Sequence, residues 1–277
     1  MSFAASISTI GLLLAAIAVF SAIEALIPLH ARGEWSKRHL IPNLALTFLT
    51  FATNLVFNIP LLLGIAWLQS KGWGLFNAYA FPPFVAFLGA IMVLDLAWYA
   101  THVSMHKVPG MWRFHAVHHS DPFVDVTTTI RQHPGESVIR YVYLAVFAFA
   151  FGVSPAAFAV YRIWSALHGL FEHSNVKLPQ WLDTAITVVF SSPNMHKVHH
   201  SRDQHFTDRN YTNIFSIWDR LGGTFTPSRY GRNITYGLDG RDAPSQQSAL
   251  GLLIGPFRLD RHVAGSLRQH NPQNRSV

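Results

Sequence analysis

The sequence contains no cysteine and is poor in charge. Without cysteine there are no disulfides, thiolate metal sites, iron–sulfur clusters or cysteine nucleophiles. Charged residues make up 13% of the chain, against roughly 25% in an average soluble protein. Two patterns are also missing. There is no HExxH motif of a zinc hydrolase, and no glycine fingerprint for a dinucleotide. Acids are the scarcer charge, 14 against 21 Lys and Arg, for a net charge of +7. The basic residues fall mostly outside the apolar runs. Anionic lipid and the positive-inside bias account for them, and nucleic acid is not expected as a partner.

What fills the composition instead is hydrophobic residue, 50% of 277, with a mean hydropathy of +0.22. Three runs, over about 8–28, 43–68 and 83–101, are long enough to cross roughly 30 Å of hydrocarbon. The first has no basic segment before it, and Glu24 and Pro28 stand where a cleavage site would fall, so it reads as a retained helix. The second is interrupted by Asn54, Asn58 and Pro60, which neighbouring protein must satisfy. Two shorter runs joined by a turn at 152–155 predict a helical hairpin over 136–172. The segment 181–190 is too short to span and suits the interface. Of the 21 Lys and Arg, 12 lie between Lys177 and Arg275 and three lie in the first loop, while Arg140 and Arg162 sit inside the hairpin. That distribution puts regions 102–135 and 173–235 on the cytoplasmic side. The polar tail, 262–277, receives no structural role. The expected fold is all-α: a multi-pass transmembrane bundle of about three spans plus a hairpin, one membrane-embedded unit over 1–277 with a cytoplasmic histidine-rich cap.

Histidine is the other abundance, at 16 residues. His102 and His106 are four apart. His115, His118 and His119 follow as HxxHH, and the pattern returns as His196, His199 and His200. On a helix, residues three and four apart share a face, so each cluster offers up to three imidazoles toward one centre. Histidine is the commonest side-chain metal ligand. Single histidines such as His30, His39, His262 and His270 suit surface or hydrogen-bonding roles, but two HxxHH patterns predict metal binding. Nitrogen-rich sites suit zinc, copper, iron or nickel, and eight to ten histidines suggest two ions. His168 and His173 are five apart and diverge on an ideal helix. Either His173 bends inward at a helix end, or one of the pair is not a ligand. His133, in RQHPGE, is a further candidate. Asp95, deep in the third run, is costly there and therefore a functional candidate.

Three function classes fit such a chain. A metal transporter or metal-binding protein needs ligands spread through the spans, whereas these cluster beyond their ends. A zinc-dependent membrane hydrolase needs a general base within the metal motif, and Glu172 is the one acid adjacent to a candidate ligand. Oxygen activation at two imidazole-bound metals suits the arrangement best.

The ordered set DLAWYATHVSMH, WRFHAVHHS, DVTTTIRQHPGE, LHGLFEHSNVKLP, SSPNMHKVHHS and DRNYTNIFSIWDRLGGTF resembles the fatty acid hydroxylase/sterol desaturase superfamily of histidine-box membrane enzymes. The resemblance covers roughly Leu94 to Pro227. It departs at Val103, where the family often has a basic residue, and at Thr212, where glycine is frequent after Asn-Tyr. The resemblance implies O2-dependent hydroxylation or desaturation of a membrane lipid at two iron ions, with zinc as a substitute. It implies His102, His106, His115, His118, His119, His168, His173, His196, His199 and His200 as ligands. It implies that Asp95, His133, Asp208 and Asn210 orient ligand imidazoles. The aromatics Trp98, Tyr99, Phe123, Trp164 and Phe171 are candidates for lining a lipid path or for the core. Electrons must come from a separate ferredoxin, or from a cytochrome with its reductase.

Overall fold

A computed structural model describes residues 3–31 and 36–258. Among them the chain is helical, and its extended pairings are two isolated bridges, Pro28 to Val176 and Phe190 to Phe215. The tail over 262–277, with His262 and His270, and Arg32 of the first loop lie outside the described residues. In chain order the helices are α1 (Phe3–Leu26), α2 (Ser36–Ser70), the single turn α3 (Leu75–Ala78), α4 (Pro83–Lys107), α5 (Pro109–His119), α6 (Pro134–Phe151) and α7 (Pro155–His173). Shorter pieces follow: α8 (Gln180–Ile186), α9 (Pro193–His199), α10 (Gln204–Thr207), α11 (Ile217–Leu221) and α12 (Ala249–Ile254).

Local chemistry sets these boundaries. Proline opens α4, α5, α6, α7 and α9, where its missing N–H costs nothing and its fixed φ suits the first turn. Ser154 and Ser192 cap α7 and α9 by accepting from Ala157 N and Met195 N. Gly152 ends α6 at φ 68 and packs against the 73–77 turn, where a Cβ would meet Trp73 O at 2.6 Å.

Three stretches are long and apolar enough to cross a membrane, Thr9–Leu26, His39–Ala78 and Pro83–Lys107. They match the three expected runs. The second differs in form. Asn54, Asn58 and Pro60 do not break it: α2 continues for 35 residues, about 52 Å at 1.5 Å per residue. That exceeds the hydrocarbon thickness, and its first turns reach into the histidine-rich cap. The hairpin of α6 and α7 packs on α2 and α4. Leu61, Leu94, Leu144, Phe158, Tyr161 and Ile214 form the centre of this core. Val138, Val142, Val146 and Val160 face outward from the hairpin. In the cap, Trp181 and Val188 are exposed.

Buried polar contacts fasten the cap to the helices. Glu24 of α1 accepts from Val126 N at 2.8 Å and Asn175 N at 2.7 Å. His39 is buried, and its Nδ1 meets Asp121 at 2.7 Å. Burial alone would raise the Asp121 carboxyl, but His39 and Arg131 beside it pull it down to about 2. Arg131, fully buried, donates to Val117 O, Asn43 Oδ1, Ser120 Oγ and Gln247 Oε1 at 2.7–3.0 Å. It thereby joins α2, the end of α5 and the C-terminal segment. Arg131→Met strands these acceptors and leaves Asp121 short of a counter-charge. It should destabilise the fold by about 3–5 kcal/mol, read as a lower midpoint of thermal unfolding in detergent. An unchanged midpoint would contradict this role.

Candidate metal centre

Nine buried histidines meet in two groups. The first holds His102 and His106 of α4, His115 and His119 of α5, and His199 of α9. The second holds His118 of α5, His173 of α7, and His196 and His200 at α9. Within each group one nitrogen from every ring lies within 4.8 Å of all the others. The groups adjoin: the rings of His119 and His200 stack with centroids 4.6 Å apart.

Helix geometry explains the division. Residues four apart differ by about 40° around the axis, and neighbours by about 100°. His102 with His106, His115 with His119, and His196 with His200 therefore each enter one group together. His118 and His199, which adjoin a member of such a pair, turn to the other group. Each HxxHH pattern thus feeds both groups, which corrects the expectation that each supplies a single centre.

The outer nitrogens of several rings are held by acceptors. His102 Nδ1 donates to Tyr211 O at 2.6 Å, His173 Nδ1 to Gly169 O at 2.8 Å and His199 Nδ1 to Arg209 O at 2.8 Å. A carbonyl only accepts, so these three rings carry their proton on Nδ1 and present an Nε2 lone pair inward. Three carboxylates lie outside other rings. Asp208 Oδ1 is 3.3 Å from His106 Nδ1, Glu136 Oε1 is 3.2 Å from His115 Nδ1, and Glu172 Oε2 is 3.6 Å from His196 Nδ1.

The inward nitrogens crowd. His102 Nε2 and His115 Nε2 are 2.9 Å apart. His173 Nε2 lies 3.1 Å from that of His118, 3.0 Å from that of His196 and 3.3 Å from that of His200. Burial, reinforced by the neighbouring rings, pushes His115, His118, His119, His196, His199 and His200 well below the ordinary imidazole range. Neutral rings have one proton each, and several of those are committed outward. Converging lone pairs about 3 Å apart repel unless a cation shares them. His199 Nε2 is buried with no hydrogen-bond partner. The donor set therefore fits a metal ion in each group, and all-imidazole ligation suits zinc, copper, iron or nickel.

Of the ten histidines expected by resemblance, the structure brings nine together. His168 stays outside both groups. Its Nε2 faces Ser191 O at 3.2 Å, because five residues separate it from His173 by about 140° around α7. His173, at the last residue of α7, does turn inward. The four expected orienting residues divide. Asp208 touches His106, and also holds Lys107 at 2.6 Å. Asn210 touches no imidazole. At φ 54 it bonds Met195 O, Thr226 O and Thr226 N, and its neighbours Arg209 and Tyr211 supply the carbonyls for His199 and His102. Asp95 braces the cap, accepting from Ile214 N, Phe215 N and Trp218 Nε1 at 3.0–3.3 Å. His133 caps α6 through Gly135 N and meets Leu253 O, away from both groups. Glu136 was not foreseen beside the imidazoles, and Glu172 was noted as the acid adjacent to a candidate ligand but not as a neighbour of His196. Their signals were Glu136 in the first turn after His133-Pro134 and Glu172 next to His173. The backbone carbonyls have no signature in the sequence.

A cavity of about 250 Å³ opens from the histidines into the space between α1, α2, α6 and α7. His102, His118, His173 and His196 lie at one end; Ile10, Leu13, Ile59 and Leu62 line it among the apolar helices. Of the five aromatics weighed for a lipid path, Trp98 lines it. Tyr99 bonds Thr224, Trp164 packs on Phe215, Phe171 on Phe20 and Phe123 on His39.

Comparison with known proteins gives a matching family model, Fatty acid hydroxylase, over residues 87–224. An alkylglycerol monooxygenase of Caenorhabditis elegans is 31% identical over 146 residues, 52% of this chain and 28% of that protein. Its counterpart in Danio rerio is 30% identical over 154 residues, 56% of this chain and 32% of that protein. The ornithine lipid hydroxylase OlsE of Rhizobium tropici is 28% identical over 167 residues, 60% of this chain and 49% of that protein. The chain thus spans about a third of the length of the alkylglycerol monooxygenases it matches. No solved structure matches it.

The geometry predicts how metal content responds to single changes. The protein purified with iron or zinc should bind two ions per chain, one for each histidine group. His173→Ala should lose one of them, and His168→Ala should keep both. Elemental analysis checks this, and loss of an ion from His168→Ala would contradict the grouping.

Proposed function

We propose that the chain, whose residues 87–224 match the Fatty acid hydroxylase family model, is a member of the fatty acid hydroxylase/sterol desaturase superfamily and an O2-dependent hydroxylase of a membrane lipid with iron in both histidine groups. The observation that carries this reading is the single cavity that touches both groups at one end and the apolar helices at the other. A hydrocarbon chain can leave the bilayer between α1, α2, α6 and α7 and reach the histidines without crossing water. The relatives are named as hydroxylases and monooxygenases of lipids, which favours hydroxylation over desaturation. Bound iron would supply the activation of O2 and the attack on an unactivated C–H bond.

The chain's own residues would do the positioning. His102, His106, His115, His119 and His199 hold one ion; His118, His173, His196 and His200 hold the other. The carbonyls of Gly169, Arg209 and Tyr211 keep three of these rings in the tautomer that can ligate. Glu136, Glu172 and Asp208 place carboxyl oxygens beside the outer nitrogens of His115, His196 and His106, where they can fix the orientation of these rings. Trp98, Leu170 and Phe158 line the cavity and exclude water from the reacting carbon.

The whole chain then acts as one membrane-embedded oxygenase with its metal centre on the cytoplasmic side, an orientation supported by the Lys and Arg distribution. Electrons come from a separate acidic donor, a ferredoxin or a cytochrome with its reductase, which the basic cap can dock. A transporter is disfavoured because, among the described residues, both candidate groups lie at one end of the helices.

The test is turnover in lipid nanodiscs. Iron-loaded protein, a ferredoxin with its reductase and labelled dioxygen should yield lipid carrying one labelled oxygen atom, detected by mass spectrometry. His118→Ala and His199→Ala should each abolish the product. A protein that binds one zinc ion, takes up no iron and consumes no O2 would overturn the reading.

A further inference from the structure

The hairpin contains two arginines, Arg140 and Arg162, and both line the cavity. Arg140 is paired. It donates to Glu136 Oε1 through Nε at 2.9 Å and Nη2 at 2.5 Å, and its guanidinium lies 3.8 Å over the Trp98 ring. Its Nη1 is buried without a hydrogen-bond partner. Arg162 is different. Its Nη2 donates to Tyr141 OH at 3.1 Å, and its Nε is buried without a partner. Among the described residues, no carboxylate comes within 4.0 Å of it.

Arg162 lies seven residues into α7, about 10 Å from its start and about 16 Å from His173 along the axis. Its partner Tyr141 also donates to Asn54 O, and Asn54, Asn58, Ile59, Phe158 and Ile163 line the same cavity. A guanidinium remains charged at any ordinary pH. A cation among apolar helices without a counter-charge is costly. Two guanidinium groups with one balancing carboxylate, Glu136, leave this part of the cavity one positive charge in excess. Glu172, the acid that lines the cavity, lies beside His196 at the other end, where Ser191 Oγ donates to it. Unpaired N–H groups on a planar fork match a carboxylate or a phosphate.

We propose that Arg162 is the docking point for an anionic group, a carboxylate or a phosphate, on an amphiphile whose hydrocarbon part extends toward the histidines. This rests on reading the cavity as the substrate chamber. It adds that the substrate is an anionic lipid, and it makes Arg162 a specificity-determining residue.

Binding tests this without turnover. Full-length protein in a non-ionic detergent is given two pairs of radiolabelled lipids, each matched in chain and differing in charge. One pair is oleic acid and oleyl alcohol; the other is lysophosphatidic acid and monooleoylglycerol. In at least one pair the anionic member should bind about tenfold tighter or more, the scale of a charge-assisted hydrogen-bonded pair. A preference confined to one pair supports the proposal and identifies carboxylate or phosphate as the group. Arg162→Gln should remove the preference while leaving metal content and neutral-lipid binding unchanged, and Arg162→Lys should keep part of it. Equal binding within both pairs, or a preference that survives Arg162→Gln, overturns the proposal. If Arg162→Gln does not fold, the wild-type pairs and Arg162→Lys still decide. Anionic binding without any lipid oxidation would count against the oxygenase reading alone. Hydroxylation of a neutral lipid by a protein with no anionic preference would count against this inference alone.

Discussion

Nine imidazoles are buried in two groups, with inner nitrogens such as those of His102 and His115, or His173 and His196, about 3 Å apart, and neutral rings so placed cannot all satisfy one another. A neutral ring offers one proton, and for His102, His173 and His199 that proton is spent on a backbone carbonyl. Lone pairs then converge on two points. A metal cation at each point turns this repulsion into ligation, and the rest of the architecture reads as the means of enforcing it.

The enforcement is distributed. α4, α5 and α9 present histidines at helical spacing, α7 adds His173 at its last residue, and the loop 208–219 locks the outer nitrogens of His102, His106 and His199. That loop is itself held twice. Asp219 accepts from Tyr211 N, Thr212 N and Thr224 Oγ1 at 2.6–3.0 Å, and Asp95 anchors 214–218 to α4. Asn210 takes a left-handed backbone conformation to turn the chain between the two carbonyls that serve His199 and His102. Glu24, Asp121 and Arg131 then tie the cap to α1, α2 and the C-terminal segment.

Much of this was legible in the sequence. Apolar runs located three crossing-length stretches, the turn at 152–155 located the hairpin, and HxxHH spacing located the imidazoles. Periodicity could not show that α2 runs unbroken through Pro60, nor that its first turns reach into the cap, because the partners of those turns, Asp121 and Arg131, are distant in the chain. Nor could it assign His118 and His199. Their neighbours in sequence share a helix with them, but their groups are chosen by which helix stands opposite. His168 and His173 had been left open, and a helical offset of five residues separated them. Asp95, His133 and Asn210 were expected near imidazoles from the family resemblance. In the fold they brace a loop, cap a helix and shape a turn.

X-ray absorption at the iron edge tests the central claim most directly. The account predicts iron surrounded by nitrogen at about 2.1 Å, a metal–imidazole distance, with outer-shell scattering from several rigid rings per ion. A first shell dominated by oxygen, with one imidazole or none per iron, would contradict it.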